Sequence, residues 1–205
     1  MRSMKTLASL TLLAAALAAP GLKAETPWMI RLRAVSLQPA NTSDAAPGIP
    51  ADAIHVSNKT IPEVDFSYFF TPNLAAELIL TVPQKHDVTL NGTKIGTFKH
   101  LPPTLTAQWH FLPGQTVNPY VGAGLNLTLI SDVKLAGGTL DLDSSSVGAA
   151  LQAGVDFKVA SNCTINLDIK YVQIQSDVKV AATGAKVTTV KVDPMLYGVG
   201  VGYRF

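Results

Sequence analysis

Apolar and polar residues alternate at every second position along much of this chain, and the last dozen residues show the pattern most clearly. One set of positions there carries large apolar side chains, whereas the intervening set carries Leu196, Arg204 and glycines. A period of two is typical of a β-strand, because successive side chains of a strand point to opposite faces. The end of the chain therefore predicts a strand whose apolar face consists of Met195, Tyr197, Val199, Val201, Tyr203 and Phe205.

Seven earlier segments alternate in the same way, and turn-forming residues separate them. Asn91-Gly92 predicts a hairpin turn, because both central positions of a type I′ turn need a positive φ. Gly137-Gly138 predicts another turn, and Thr183-Gly184 predicts a turn into the final strand. The connection at residues 38–59 predicts a long loop with a short helical turn at residues 51–54. The eight predicted strands are residues 28–37, 60–70, 74–82, 101–111, 119–129, 147–159, 165–171 and 194–205.

The predicted connections alternate in length. Residues 71–73, 112–116 and 160–163 form short turns, whereas the other four connections are longer. Outer-membrane β-barrels show this asymmetry, with short periplasmic turns and longer extracellular loops. The pattern therefore predicts an all-β fold, an eight-stranded antiparallel transmembrane β-barrel with both termini in the periplasm.

Composition also favours a membrane protein. Only 15% of the residues are charged and the mean hydropathy is +0.26, an unusual balance for a soluble domain. Beyond the amino terminus no apolar run approaches the roughly 20 residues of a spanning helix, whereas a spanning strand needs only about 10. Backbone amides in lipid must be paired internally, so a closed barrel is the remaining architecture.

A lipocalin-like soluble barrel alternates equally well with its apolar face inside, so other residues must decide the direction. Glycines fall on the face opposite the large apolar side chains, where a narrow barrel has little room. Aromatic residues of the apolar face lie next to the short turns, as in a membrane-interface girdle. We therefore expect lipid to contact the face that carries Trp28, Phe70, Trp109, Phe111, Phe157, Tyr203 and Phe205.

The amino terminus has the pattern of a secretory signal peptide. Arg2 and Lys5 precede an apolar run at residues 7–19, and Ala24 is a small residue at a cleavage position. We predict a signal peptide at residues 1–24 and an outer-membrane barrel domain at residues 25–205, in a Gram-negative bacterium. Removing Arg2, Lys5 and Lys23 leaves 13 of the 16 basic residues against 14 acidic ones. This balance predicts no nucleic-acid partner and no polybasic membrane patch.

Several segments resemble the outer membrane protein W (OmpW) family. The most specific is HLPPTL at residues 100–105, followed by AQW at residues 107–109. Residues 118–126 (NPYVGAGLN), 154–157 (GVDF), 193–194 (DP) and 202–205 (GYRF) add to the resemblance. It spans nearly all of the predicted mature chain. The resemblance implies an eight-stranded barrel with a narrow, largely apolar channel for small hydrophobic molecules.

Charged residues of both signs occupy inward positions in the half of the barrel near the periplasm. Eight strands enclose an interior that side chains can nearly fill, which excludes a wide aqueous pore. We interpret these residues as a polar floor, either a salt-bridged plug or an ion path. The predicted floor consists of Arg31, Arg33, Asp65, Glu77, Asp156, Lys158, Asp168, Lys170 and Arg204.

The outer half of the lumen is predicted to be apolar, and its wall is rich in proline. Proline cannot donate to a strand ladder, so these prolines mark either the ends of strands or a lateral opening. The predicted channel lining is Ile79, Val172, Val190 and Leu196. The candidates for a lateral opening are Pro62, Pro83, Pro102 and Pro103.

No pattern predicts enzyme or metal chemistry. His55, His86, His100 and His110 are scattered without metal-ligand spacing. No Ser/His/Asp group converges in the predicted strand arrangement. Cys163 is the single cysteine, which excludes an intrachain disulfide. We expect no enzymatic activity, no cofactor and no metal.

These features predict an outer-membrane channel for small hydrophobic molecules, with a charged periplasmic-side floor and a lateral exit into the bilayer. The competing class is a structural or surface-interaction barrel, such as a phage or bacteriocin receptor, without a transport role. The expected partners are outer-membrane lipid and lipopolysaccharide, the barrel assembly machinery and small hydrophobic solutes. The barrel is expected to be a monomer.

Tyr203 and Phe205 are the predicted assembly signal, because a terminal Phe in this pattern resembles the closing strand that the assembly machinery reads. Deleting Phe205 should lower the amount of folded barrel in the outer membrane, since the last strand loses its aromatic end. Heat-modifiable migration of the protein in outer-membrane fractions measures this amount. Equal amounts of folded barrel from the intact and the shortened chain would contradict the prediction.

Overall fold

Antiparallel strands account for most of residues 26–205, the part of the chain that this computed structural model describes. The predicted signal peptide at residues 1–24 lies outside the described residues. Within residues 26–205, no helix has both the length and the apolar character needed to cross a membrane. In chain order the strands are β1 (Trp28–Gln38), β2 (Thr42–Ser43), β3 (Ile54–Val56), β4 (Lys59–Phe69), β5 (Leu74–Thr81), β6 (Gln84–Leu90), β7 (Thr93–Leu101), β8 (Thr104–His110), β9 (Val117–Leu135), β10 (Leu140–Leu142), β11 (Ser145–Lys158), β12 (Cys163–Val172), β13 (Gln175–Val180), β14 (Lys186–Lys191) and β15 (Met195–Arg204).

Eight of these strands close into a barrel. Strands β1, β4, β5, β8, β9, β11, β12 and β15 pair in that order, and β15 returns to pair with β1. The eight-stranded antiparallel barrel predicted from the alternation is therefore confirmed. The predicted fourth strand is too long, because β8 begins at Thr104 and Leu101 ends β7 instead.

The other strands continue the wall beyond the longer connections. We call β2, β3, β6, β7, β10, β13, β14 and the outer end of β9 the extension. Its strands pair in the order β6–β7–β9–β10–β13–β14–β2, and β3 pairs with β6. The β6–β7 hairpin turns at Asn91 and Gly92, whose φ values of 49° and 80° are those that the predicted turn requires. The longer connections are thus largely ordered strands.

Two predictions for these connections are wrong. Residues 51–54 do not form a helical turn, because Ile54 begins β3 and pairs with Leu90 of β6. Ile54 and Val56 both bury their β-branched side chains in the apolar interior of the extension, as alternate residues of a strand can do. Thr183-Gly184 turns β13 into β14, and the final strand begins only at Met195.

Large apolar side chains of the barrel strands point outward, as predicted. Leu125, Val147 and Leu151 are 67%, 69% and 57% exposed, whereas their inward neighbours are buried or small. Trp28 and Phe70 remain exposed near the short turns. We place these turns at the periplasmic end and the extension at the extracellular end.

The inward face of β15 carries glycine where β1 approaches closely. A Cβ atom on Gly200 would overlap the carbonyl oxygen of Leu32 and lie 2.8 Å from the Cα of Arg33. A Cβ atom on Gly198 would meet no atom closer than 3.4 Å, which is ordinary contact. Close packing between β15 and β1 therefore requires glycine at position 200 and tolerates alanine at position 198.

Gly200→Ala should lower the free energy of unfolding by about 1–3 kcal/mol, because the added methyl group pushes against backbone atoms. Urea unfolding of the purified barrel in lipid vesicles, followed by tryptophan fluorescence, measures the change. Gly198→Ala is the matched control on the same face of the same strand and should leave the midpoint near that of the native chain. Equal midpoints for both variants would show that β15 can move away from β1 without cost.

Candidate functional site

Two arginines lie on the inward face of β1 and are enclosed by the barrel. Arg31 is 0% exposed and Arg33 is 4% exposed. Across the β1–β15 ladder they are paired with Gly202 and Gly200. Because glycine has no side chain, the long arginine stems have room beside β15. The alternation along β1 directs both guanidinium groups into the barrel interior.

Arg31 contacts acidic residues from two other strands. One Nη atom pairs with Glu77 of β5 and also donates to Ser67 Oγ at 2.8 Å. The second Nη atom donates to Asp156 Oδ2 of β11 at 2.8 Å. The Arg31 guanidinium thus joins β5 and β11 across the lumen.

Arg33 shares Glu77 with Arg31, through a contact of 3.4 Å from Nη1 to Oε1, and has further partners of its own. Its Nη1 donates to Asp65 Oδ2 at 2.6 Å and to Glu63 Oε1 at 3.2 Å, both on β4. Its Nε donates to Asn166 Oδ1 at 2.7 Å, and its Nη2 donates to the Tyr120 hydroxyl at 3.1 Å. Such charge-assisted hydrogen bonds are the stronger kind in proteins.

Neutral polar side chains complete the network. Gln108 donates to Glu77 Oε1 at 2.8 Å, and Gln152 donates to the same oxygen at 3.0 Å. The Tyr120 hydroxyl and Gln152 each donate to Asp168 Oδ2 at 2.8 Å. The sequence analysis did not single out these residues, although their inward positions on predicted strands could have identified them.

Together these groups form what we call the charged layer. Lys170 lies 2.5 Å from Glu63 Oε1 and 2.9 Å from Asp168 Oδ1, so it joins the arginines as the third cation. Every member is at most 6% exposed, and buried charges persist only where they are paired. This burial favours a salt-bridged plug over a hydrated ion path. The charged layer has three cations and five carboxylates, namely Arg31, Arg33, Lys170, Glu63, Asp65, Glu77, Asp156 and Asp168.

Two residues predicted for the floor lie outside the charged layer. Lys158 is the last residue of β11 and is exposed, because the strand has already reached the periplasmic mouth there. The guanidinium carbon of Arg204 lies 4.2 Å from the ring centre of Phe69. Both basic residues line a vestibule of about 540 Å³ at that mouth. Glu63, which the floor prediction omitted, belongs to the layer instead.

The lumen beyond the charged layer is apolar. Ile79, Val172 and Leu196 line a narrow cavity of about 20 Å³ that also contacts Glu63 and Lys170. Val190 lines a second cavity of about 50 Å³ inside the extension. The four predicted lining residues are each 4–6% exposed. They are therefore brought together in two successive cavities rather than in one ring.

Strand pairing is interrupted on one side of this apolar region. The β5–β8 ladder ends at Ile79 and Thr104, although β5 itself continues to Thr81. Farther out, Gln84 of β6 pairs with His100 of β7. Between these points the described structure has no ladder joining residues 80–83 to residues 101–103. We call this interruption the wall gap.

Three of the four predicted prolines border the wall gap. Pro83 follows β5, and Pro102 and Pro103 separate β7 from β8. Pro102 also lines the narrow cavity together with Thr81, so the cavity reaches the gap. Pro102 has no backbone N–H to donate toward β5, so it cannot extend the β5–β8 ladder. The Pro103 backbone faces β9 instead, where its carbonyl accepts from the Leu127 nitrogen at 3.0 Å.

Pro62 does not border the wall gap. The β1–β4 ladder runs past it, with Ala34 opposite Pro62. The Pro62 carbonyl accepts a hydrogen bond from Thr81 Oγ1 at 2.6 Å. The backbone N–H that Pro62 lacks therefore falls at the end of the β4–β5 ladder, one strand away from the gap.

His86 and His100 lie side by side inside the extension, with ring centres 4.6 Å apart. The sequence analysis treated them as scattered, but the β6–β7 register brings them together. Both nitrogens of His100 lack a hydrogen-bond partner among the described residues. Burial and the neighbouring His86 lower the pKa of His100 to about 3, and burial also lowers the pKa of His86. Both rings are therefore neutral at pH 7. Within residues 26–205, no group of three His, Cys, Asp or Glu side chains is arranged to hold a metal ion.

Comparison with known proteins identifies the family. The sequence model of the OmpW family matches residues 27–205. The chain belongs to the OmpW family. The uncharacterized outer-membrane protein y4mB of Sinorhizobium fredii is 40% identical over 185 residues, which cover 88% of this chain and 80% of that protein. Outer membrane protein W of Escherichia coli is 35% identical over 159 residues, which cover 73% of this chain and 75% of that protein.

Solved structures agree with the OmpW assignment. The crystal structure of the outer membrane protein OprG from Pseudomonas aeruginosa matches with a TM-score of 0.74 at 26% identity, covering 88% of this chain and 97% of that chain. The resemblance drawn from the HLPPTL segment is thus confirmed, as is the outer membrane of a Gram-negative bacterium as the location. The OmpW family is a family of outer-membrane barrels and not of enzymes. The outward apolar face of the barrel accordingly contacts lipid.

Glu77→Ala should destabilise the barrel, because it leaves both arginines of the charged layer short of a partner. Breaking a buried pair in this way costs about 3 to 5 kcal/mol of unfolding free energy. Urea unfolding in lipid vesicles gives the change, and conductance in planar bilayers shows whether ions pass a weakened layer.

Asp87→Ala is the matched control for Glu77→Ala. Asp87 is exposed and pairs with Lys94 at 2.8 Å outside the lumen, so its loss should leave the unfolding midpoint and the conductance unchanged. Native stability and conductance in the Glu77→Ala variant would mean that the carboxylate is hydrated and plays no part in the plug.

Proposed function

We propose that this OmpW-family barrel takes up small apolar molecules from the outside and releases them sideways into the outer membrane. The observation that carries the proposal is the joint position of the narrow apolar cavity, the charged layer and the wall gap. The cavity contacts the charged layer at Lys170 and reaches the wall gap at Thr81 and Pro102. A solute that enters the apolar lumen thus has a lateral exit before it meets buried charge.

Free energies favour the lateral exit over passage to the periplasm. Displacing one partner of a buried ion pair costs several kcal/mol, and an apolar molecule offers no hydrogen bond in return. The wall gap opens toward lipid tails, in which the same molecule is soluble. Val82 at the gap is 55% exposed and presents an apolar surface on that side.

Opening the narrow cavity requires movement of side chains. Its volume of about 20 Å³ has room for about one water molecule and is too small for an organic solute. Ile79, Val172 and Leu196 are aliphatic residues without polar contacts of their side chains, and Thr81 and Pro102 belong to segments that no β5–β8 pairing restrains. The proposed route is therefore a closed passage that a solute widens at its least restrained wall.

The proposal includes the partners expected from the sequence. Tyr203 and Phe205 lie at the periplasmic end of β15 with ring centres 5.1 Å apart, where assembly machinery could read them. The Phe205 carbonyl accepts hydrogen bonds from the Thr26 backbone nitrogen and hydroxyl, each at 2.7 Å, which secures the end of the chain. The solute partners are small hydrophobic molecules, and the barrel acts as a monomer.

A reversible cross-link over the wall gap tests the lateral exit. Extending the register beyond Ile79 and Thr104 by two residues places Thr81 opposite Pro102. We therefore combine Thr81→Cys and Pro102→Cys with Cys163→Ser, which removes the native thiol. Oxidation should slow octane uptake across lipopolysaccharide-containing membranes by about fivefold or more, and reduction should restore it.

The control places Thr89→Cys and Lys94→Cys in the same Cys163→Ser background. These positions are paired in the β6–β7 hairpin, away from the wall gap, so their oxidation should not change uptake. Full-speed uptake with the gap cross-linked would rule out the lateral exit. Uptake equal to that of membranes without the barrel would instead favour a structural or surface-interaction role, such as a phage or bacteriocin receptor.

A further inference from the structure

Three lysines form a patch on the outer surface of the extension. Lys85 lies on β6, Lys99 on β7 and Lys134 on β9, all on the face opposite the buried interior. On β9 the exposed Ser131 and Asp132 separate Lys134 from the nearest outward apolar residues, Leu129 and Leu127, each 45% exposed. The basic patch, defined by these three lysines, therefore lies just beyond the end of the lipid-facing apolar belt.

The arrangement of the basic patch is unfavourable by itself. Lys85 and Lys99 are directly opposite each other in the β6–β7 ladder, where like charges destabilise a sheet. Lys134 is paired with Thr97, two residues along β7 from Lys99. Asp132 pairs with Lys99 at 2.6 Å, but neither Lys85 nor Lys134 forms an ion pair within the described residues. Three lysines and one aspartate leave a local charge of +2.

Lysines elsewhere in the extension are neutralised by aspartates of the protein itself. Each of four others pairs with its own aspartate, including Lys179 and Lys186, which lie opposite each other in the β13–β14 ladder. In the basic patch, by contrast, two of the three lysines have no paired aspartate among the described residues, which indicates a surface suited to bind an anion from outside the protein. The neutralised pairs are Lys94–Asp87, Lys179–Asp143, Lys186–Asp177 and Lys191–Asp44.

The patch also has the shape of a shallow binding site. Lys85, Lys99 and Lys134 line an open depression of about 150 Å³ together with Thr97 and Asp132. An open depression of this size has room for a tetrahedral anion. Lysine binds phosphate well as a flexible point charge.

We infer that the basic patch binds a phosphate group of lipopolysaccharide in the outer leaflet. The membrane location of the barrel places the patch at the level of lipid headgroups, and lipopolysaccharide carries phosphates on its sugar headgroup. Basic residues at such a surface each add to the attraction for anionic lipid. The numbers of basic and acidic residues in the sequence are nearly equal, so the composition does not reveal the patch. Its three lysines come from distant segments that meet only in the folded barrel.

The position of the patch links the bound lipid to the wall gap. The Gln84–His100 pair closes the outer end of the gap, and Lys85 and Lys99 are the next residues on the same two strands. A lipopolysaccharide molecule held by its phosphate would stand with its acyl chains beside the gap. Binding at the patch does not itself require that the gap transports solute.

Titration of lipid A onto the barrel in detergent micelles, read by native mass spectrometry, tests the inference. The patch variant combines Lys85→Gln, Lys99→Gln and Lys134→Gln, and the control combines Lys94→Gln, Lys179→Gln and Lys186→Gln on the same extension. We expect bisphosphorylated lipid A to bind the patch variant about tenfold more weakly than the native chain. The control variant, which loses the same charge, should bind like the native chain.

Two further arms use the native chain and need no substitution. Dephosphorylated lipid A should bind about as weakly as bisphosphorylated lipid A binds the patch variant. Equal binding of both lipids, or equal loss in the patch and control variants, would overturn the inference. Inorganic phosphate that binds the patch while lipid A does not would assign the site to soluble phosphate and would likewise reject lipopolysaccharide as the ligand.

Discussion

Neutralising buried charge inside a narrow barrel is the constraint on which the rest of the structure depends. Arg31 and Arg33 project from β1 into a space that water does not reach, so every neighbouring strand must supply either room or an acceptor. Strand β15 supplies room through its glycines. Strands β4, β5, β11 and β12 supply carboxylates, and β8 and β9 supply neutral donors. The interior of the membrane barrel is thus one connected network that contacts all eight strands.

This network divides the lumen into two unlike parts. Its periplasmic side opens to a wide vestibule, whereas its outer side meets mainly aliphatic side chains. Transfer from water into the aliphatic outer part is favourable for an apolar molecule, whereas transfer into the vestibule is not. Pro83, Pro102 and Pro103 border the interruption of strand pairing, which lies on this apolar side of the layer.

Alternation predicted the membrane strands because their two faces meet environments that differ sharply. Each strand has lipid on one side and a filled lumen on the other, so a period of two is imposed on nearly every residue. The same alternation predicted that the side chains of Arg33 and Glu77 point into the lumen. It misplaced Lys158 and Arg204 in the floor, because an inward position near the end of a strand leads to the vestibule rather than to the layer.

The extension was less predictable for physical reasons. Strands β2 and β3 have only two and three residues, too few for periodicity to show, and their pairing partners lie far along the chain. Ile54 therefore suggested a helical turn where the structure forms a strand. The proximity of His86 and His100, and that of Lys85 and Lys99, depends on the register of one hairpin. The sequence predicted the turn of that hairpin at Asn91-Gly92, but not which residues of its two strands are opposite each other.

The pairing of β1 with β15 brings together the two ends of the described chain. Thr26 bonds to Phe205 across a separation of 179 positions, the longest loop closure among residues 26–205. Contacts between such distant residues form late and slow the folding of a sheet. Without β15 the sheet would have two free edges with unpaired backbone groups, which invite association with other chains. Such an open seven-stranded sheet would also expose Arg31 and Arg33 along the β1 edge, so the last strand both closes the ladder and covers the arginines.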